Sequence, residues 1–160
     1  MISHCELVEL LVYNPSNGFF TWKQDQGRIR LGATAGSLRK DGYLQIMLNH
    51  KLYLAHRLAW FYITQEWPTE QIDHVNKNRS DNRLCNLRLA TNKQNGENLP
   101  MLCTNVSGHR GVSWDTSRKK WKAQIKHHGR NIFLGRFESL TDAAEAARVA
   151  RSRLFTHCTE

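Results

Sequence analysis

Nowhere in the 160 residues does an apolar run approach the roughly 20 that a bilayer-spanning helix needs, which argues against a transmembrane segment. The N-terminus, MISHCELVELL, carries acids where a secretory leader would be basic, so it does not read as a signal peptide. The four cysteines (Cys5, Cys85, Cys103 and Cys158) form no CxxC pair, which argues against a zinc ribbon and against a disulfide framework. Reduced thiols in a cytoplasmic protein are expected instead. No long-period repeat is visible. Acid is in short supply, with 14 Asp+Glu against 23 Lys+Arg, a formal net charge of +9 and a pI near 9.7. That excess favours a polyanionic partner, nucleic acid ahead of an anionic membrane. Hydrophobic residues make up 40%, enough for a packed core in one ordinary domain or two small ones.

The most informative stretch is 72–98, IDHVNKNRSDNRLCNLRLATNKQNGEN. It combines an Asp-His pair, separated asparagines and five basic residues, Lys77, Arg79, Arg83, Arg88 and Lys93. Ahead of it, Ser3 and Glu6 are spaced as a capping box, and Leu7, Leu10 and Leu11 mark one face of a short helix. Asn14-Pro15-Ser16-Asn17-Gly18 forms a turn. A strand follows at Phe19, Phe20 and Trp22, then the basic, glycine-spaced GRIRLGATAGSLRKDG, either a phosphate-facing edge or a solvated loop. Alternation at Leu44, Ile46 and Leu48 predicts a half-buried strand. Residues 52–64, with Leu54, Leu58, Phe61 and Tyr62 at helical spacing, predict a buried helix stopped before Pro68. His56 in that segment reads as structural, bonded to nearby backbone, ahead of a metal ligand. Past Asp73-His74, NKNRSDNR is a turn-forming loop, Leu84 to Leu89 a short return strand around Asn86, and Thr91 with Gln94 a capped helix start. A helix from there carries Asn95 and Asn98 on one face.

Residues 99–109 have no period and read as a linker. The first hundred residues hold 12 Lys+Arg against 9 Asp+Glu; the last sixty hold 11 against 5. A second, more basic module accounts for the shift. Its pattern is three strands, RGVSW, KKWKAQIK and NIFLGRF, and a helix capped by Ser139 or Thr141. Trp121, Ala123 and Ile125 share one face of the middle strand, and Lys120, Lys122, Gln124 and Lys126 the other. Ala143, Ala146, Ala147, Ala150 and Leu154 form one stripe of the helix.

Phosphodiester hydrolysis requires an activated water, a cation for the developing charge and help for the leaving oxygen. A histidine can take the proton of the water. Neighbours on a strand point to opposite faces, so Asp73 and His74 need a bend or a strand edge to serve one site. An Asp-plus-Asn donor set suits a hard cation, Mg²⁺ or Mn²⁺.

The string IDHVNKNRSDNRLCNLRLAT…N…N resembles the HNH endonuclease family, including its phage and intron-encoded homing members, and YLAHRLAWFYITQEWP resembles the segment leading into that motif. The resemblance implies a ββα-metal unit with His74 as general base, Asn86 as the asparagine that holds the loop and orients the histidine, and Asp73 and Asn95 as metal ligands. Asn98 is the alternate for Asn95, because helix register is open by a residue or two. Asparagine where histidine is often found shifts the expected metal away from zinc. The C-terminal string resembles the DNA-binding domain of plant ethylene-response factors, whose sheet enters the major groove. That resemblance places Arg110, Lys120, Lys122, Lys126 and Arg130 or Arg136 on DNA; Trp121 is expected in the core. Ser113 stands where a guanine-reading arginine is usual, so base specificity does not transfer and phosphate contacts dominate. In the first module the basic loops carrying Arg79 and Arg83 are expected on the duplex.

The expectation is an α+β chain with a nuclease domain over 1–98 (catalytic unit about 70–98), a linker at 99–109, and a sheet-on-helix DNA-binding domain over 110–157. It is expected to be a metal-dependent homing-type endonuclease, nicking or cutting duplex DNA in the cytoplasm of a bacterial or phage-infected cell, as monomer or homodimer. The alternative is an inactive, sequence-specific DNA-binding regulator.

Overall fold

In the computed structural model the described residues are 1–25, 27–99, 101 and 104–158. Pro100, Leu102 and Cys103, within the expected linker, lie outside them. The chain is α+β, with four small antiparallel sheets among the described residues, and it divides into two compact units, Met1–Thr91 and Asn92–Glu160. Among the described residues no helix is long and apolar enough to cross a membrane.

In the first unit the capping box forms: Ser3 Oγ accepts from Glu6 N–H and Glu6 Oε2 accepts from Ser3 N–H at 2.8 Å. It starts α1 (His4–Leu10). Leu11 leaves the helix and opens an unexpected strand, β1 (Leu11–Asn14), which pairs with β2 (Phe19–Trp22). Four residues are too few to display a period of two in sequence. The connecting turn needs Gly18 for two reasons: its φ is +77°, and a Cβ there would lie 2.5 Å from Arg83 N and 2.6 Å from the Asn82 carbonyl carbon. The turn thus rests against the backbone of the loop that follows Asp73-His74.

A three-stranded sheet orders β3 (Ser37–Leu38), β4 (Leu44–Leu48) and β5 (Lys51–Leu54) with β4 in the middle. Asn49 and His50, with φ of 49° and 61°, make the two-residue turn that matches strand twist. The expected helix over 52–64 therefore begins late. Leu52 and Tyr53 pair with Met47 and Ile46, and α2 is Ala55–Thr64. Arg57 on α2 donates to the carbonyls of Pro68 (2.9 Å) and Glu70 (3.3 Å). These bonds fasten the chain entering β6 (Gln71–His74). A loop and a 3₁₀ turn (Leu84–Asn86) lead to β7 (Leu87–Ala90), antiparallel to β6. The return strand thus starts just after Asn86, with Asn86 itself in the turn. Leu7, Leu11, Phe20, Ile46, Leu48 and Leu58 are fully buried in the core of this unit. The rings of Phe61 and Trp67 stack in it at 4.4 Å.

The second unit holds α3 (Asn92–Glu97), β8 (Val112–Asp115), β9 (Lys120–His127), β10 (Arg130–Phe137) and α4 (Leu140–Leu154), with β9 central in the sheet. Ser139 caps α4. Val112 and Ala123 pack against Ala143 and Ala147, with Trp121 joining them. Alanines on the helix let its axis approach the sheet closely. Gly111, with φ +84°, allows another close approach: a Cβ there would meet the Gln124 carbonyl oxygen at 2.6 Å.

Candidate active site

Ile72, Asp73 and His74 are consecutive and all buried, because β6 is covered on both faces. Strand geometry still separates the two polar side chains by partner. Asp73 lies opposite Arg88 on β7, and its Oδ2 accepts from Arg88 Nε at 2.9 Å and Nη2 at 2.7 Å. His74 lies among Tyr43, His56 and Asn82. Its ring centroid is 5.8 Å from that of Tyr43 and 5.1 Å from that of His56, the latter edge-to-face. Its Nε2 is 3.3 Å from Asn82 Oδ1.

One tautomer of His74 suits that approach. The Asn82 amide nitrogen is committed to the Ser80 carbonyl at 3.3 Å, so the oxygen faces His74. A carboxamide oxygen only accepts, which makes Nε2 the protonated nitrogen and puts the lone pair on Nδ1. Burial lowers the His74 pKa, opposed by the Asn82 bond and the nearby Asp73 and Asp81 charges. The imidazole is therefore neutral at physiological pH, with Nδ1 as its basic nitrogen.

Asn82 is 1% exposed and its backbone is held independently: its carbonyl accepts from the Tyr13 hydroxyl at 2.7 Å, and Gly18 lies against it. Asn86 closes the loop from the other end. Its Oδ1 accepts from Asn76 N–H at 2.9 Å and its Nδ2 donates to the Asp81 carbonyl at 2.8 Å. Asparagine is suited to do both at once, having acceptor and donor on one short planar group. Between these anchors, Asn76 and Asn78 side chains accept from the backbone two residues on, the local bonding that stiffens turns. Asp81 grips Arg83 through both oxygens at 2.8 and 2.6 Å, and that bond holds its carboxyl down to about 2.

The backbone bond expected of His56 is absent at its Nδ1, which has no hydrogen-bond partner among the described residues. The ring packs on those of Tyr43 and His74, and burial pushes its pKa down to about 3.

A divalent cation must fit the donors present. Among the described residues no three His, Cys, Asp or Glu side chains cluster, which does not suit a thiolate-imidazole zinc cage. A carboxylate has about four acceptor positions, so Asp73 can keep Arg88 and also serve a hard cation that retains its waters. The donor chemistry fits Mg²⁺ or Mn²⁺. Asn95 lies in α3, half-buried, and Asn98, just past its end, is 2% exposed. Both belong to the second unit.

Of the expected DNA-facing residues, Arg79 and Arg83 are exposed. Arg79 lies over the Tyr43 ring and donates to the Asp41 carbonyl at 3.0 Å, so Tyr43 joins the aromatic surroundings of His74 to the basic loop. On the outer face of the second unit's sheet, Ser113, Lys122 and Arg136 are cross-strand neighbours, as are Gln124 and Phe133, and Lys126 and Asn131. Arg136 is bound to Asp115 at 2.8 Å and Lys120 lies 3.4 Å from Glu138. Arg130 is exposed at the start of β10, opposite His127. Arg110 is employed elsewhere. Its guanidinium donates to the carbonyls of Gly96 (3.0 Å), Glu97 (2.7 Å) and Leu99 (3.1 Å), capping the C-terminus of α3. Trp121 packs against the core as its alternation predicts.

Sequence reasoning missed Asn82, Tyr43 and the Arg88 partner of Asp73. Asp81-Asn82 looks like any solvated turn dipeptide, and no local pattern announces that its second member is buried. Arg88 had a signal: it falls opposite Asp73 once β6 and β7 are paired.

The chain is 37% identical over 59 residues to Protein 3.8 of Escherichia phage T7, a stretch covering 37% of this chain and 49% of that protein. It thus spans about half the length of the curated relative it matches. No solved structure matches. Residues 53–97, from β5 through α3, match the HNH endonuclease family, and that match points to a nuclease.

Proposed function

We propose that the protein is a metal-dependent DNA endonuclease of the HNH homing type, hydrolysing phosphodiester bonds in duplex DNA. The observation that carries this reading is the placement of His74, a buried imidazole with a lowered pKa whose Nε2 lies 3.3 Å from Asn82 Oδ1, an arrangement that suits Nδ1 as the basic nitrogen. Nδ1 takes a proton from water as the water oxygen bonds to phosphorus. The bond from phosphorus to the 3′ oxygen breaks and the released oxygen takes up a proton from solvent, giving 5′-phosphate and 3′-hydroxyl ends. Asp73 and, by the resemblance, Asn95 (Asn98 as alternate) are the residues assigned to a Mg²⁺ or Mn²⁺ ion. Such an ion, when bound, supplies positive charge to the phosphoryl and leaving oxygens. Asn86 and Asn82 hold the loop and the histidine. The order strand, loop, strand, helix over β6, β7 and α3 is that of a ββα-metal unit.

DNA is positioned by the exposed Arg79 and Arg83 and by the outer sheet face carrying Lys120, Lys122 and Lys126, with Arg130 at its end. That sheet, backed by α4, supports an ethylene-response-factor-like domain over 110–157. Arg110 supports α3 in this scheme through its bonds to the carbonyls of Gly96, Glu97 and Leu99. Incubation of supercoiled plasmid with the protein and Mg²⁺ or Mn²⁺ tests the reading. Nicking is expected, reduced by about 10²–10⁴ in His74→Ala with DNA binding retained. No nicking by the native protein, or undiminished nicking by His74→Ala, refutes it and leaves the DNA-binding regulator.

A further inference from the structure

We propose that a cleft within the second unit holds one nucleotide of a DNA strand, its phosphate on Lys93 and His128 and its base against the rings of His127 and Phe155. The inference rests on the reading of the chain as a DNA-acting protein and adds a binding element that neither the outer sheet face nor the His74 loop supplies.

The cleft exists because of a mismatch in strand length. β8 pairs with β9 from Asp115–Lys120 to Val112–Ala123, and Gly111 adds one bond to Gln124. β9 runs on to His127, so its last residues face a recess closed on its other sides by α3 and by the end of α4. The recess has a volume of about 770 Å³, within the roughly 300–1,000 Å³ of clefts that hold small ligands. Its lining brings four formal positive charges (Lys93, Arg110, Lys126, Arg151) against one negative, Glu97.

The single carboxylate is already compensated. Glu97 Oε2 accepts from the N–H groups of Thr156 and His157 at 2.9 and 3.3 Å, and Oε1 lies 3.4 Å from Lys93 Nζ, so little of its charge opposes an incoming anion. Lys93 Nζ is also 3.2 Å from His128 Nε2. An ammonium only donates, so Nε2 is the acceptor and the His128 proton is on Nδ1. One wall of the cleft is made of flat rings: His127 meets His128 edge-on at 4.3 Å and stacks on Phe155 at 6.1 Å with planes 22° apart. Cations beside stacking faces are what a nucleotide requires, the cations for its phosphate and the faces for its base. A purely apolar ligand would leave the cations unused, and a metal finds no cluster of ligands among the described residues.

The test measures fluorescence anisotropy of a labelled single-stranded oligothymidylate and of a labelled duplex across a salt series. The proteins are the full chain, Phe155→Leu, the double variant Lys93→Ala/His128→Ala, and Lys122→Ala on the outer sheet face, with thermal melts reporting folding. Phe155→Leu is expected to weaken single-strand binding about tenfold. The double variant is expected to flatten the salt dependence by about 0.7 in log–log slope for each phosphate it no longer engages, and Lys122→Ala to act mainly on the duplex. Single-strand affinity within about twofold of the native protein in both cleft variants, with native melting, overturns the proposal. The double variant changes only cleft-wall side chains, so it decides the matter if Phe155→Leu fails to fold. Plasmid cleavage is scored separately. Its absence in the native protein counts against the nuclease reading and leaves strand binding at the cleft to be judged by these affinities.

Discussion

Replacing Asn82 by alanine removes the side-chain oxygen that faces His74 Nε2 and leaves the backbone supports, the Tyr13 hydroxyl bond and the close approach of Gly18, in place. The consequence divides into two parts. The Nε2–H loses its acceptor in a buried setting, which costs about 1–3 kcal/mol. Part of that cost is relieved when the proton moves to Nδ1, the nitrogen that must be unprotonated to act as base. If the whole of it acts on the active tautomer, cleavage falls by roughly 5- to 150-fold, at 1.36 kcal/mol per tenfold. The acid side of the pH–rate profile should shift as well. The Asn82 bond raises the His74 pKa against the lowering by burial, so without it the limb moves further below 6.5. The neutral base then survives to lower pH while working more slowly. Single-turnover cleavage of plasmid at saturating protein, over pH 5–8 (about the range in which histidine titrates), reads both effects. A rate within about threefold of native with an unmoved limb refutes the assignment of Asn82 as the residue that orients the base.

Gly18→Ala places a Cβ 2.5 Å from Arg83 N at a φ of +77°, and about 2–4 kcal/mol of lost stability is expected. A calorimetric melt of the first unit should fall by roughly 10–20 °C; a fall under about 3 °C contradicts the close approach. Arg110→Ala removes three bonds to the end of α3 and should cost about 2–3 kcal/mol with faster amide exchange at Asn98. Arg110→Lys should not restore it, since one ammonium does not reproduce a planar fork. His56 has its folded pKa lowered to about 3 from 6.5, so the unfolded chain binds the extra proton in between. Its contribution to stability, on the order of 4–5 kcal/mol at most, is fully present above pH 6.5 and is lost as pH falls toward 3. Urea titrations of native protein and His56→Phe should show a shallower acid loss in the variant.

The parts legible in sequence are those with a local cause. Ser3 and Glu6 are three apart, and they cap α1. Lys120 to Lys126 alternate, and Trp121, Ala123 and Ile125 turn away from the lysines as that alternation requires. Asp73, His74 and Asn86 are legible as a spaced string. Illegible parts have causes distant in the chain. β1 exists because Leu11 and Tyr13 find Trp22 and Phe20 across a turn, and four residues alone look like the end of the helix before them. Leu54 looks helical by spacing, yet the Asn49-His50 turn commits it to a strand pair with Gln45. Arg110 is placed on DNA by the resemblance to ethylene-response factors, and only the carbonyls of α3 reveal another use. The buried rings around His74 come from Tyr43 and His56 on two other parts of the chain, which no local periodicity could combine.

The choice of asparagine around His74 has a physical reason that a carboxylate would defeat. Asn86, which closes the loop, and Asn82, which faces His74, are both buried, at 5% and 1% exposure. A carboxylate at position 82, 3.3 Å from Nε2 as the amide oxygen is, would stabilise imidazolium in a medium that screens charge poorly. It would hold His74 protonated at the pH where the proposed hydrolysis needs it neutral. A carboxamide presents the same oxygen without the charge, so burial prevails and the ring stays neutral. The neighbouring carboxylates are kept from acting as such a partner by their own cations, Asp73 by Arg88 and Asp81 by Arg83. Neutral side chains face the imidazole while arginine-paired acids surround it. That division of labour lets one loop hold a neutral imidazole next to two carboxylates.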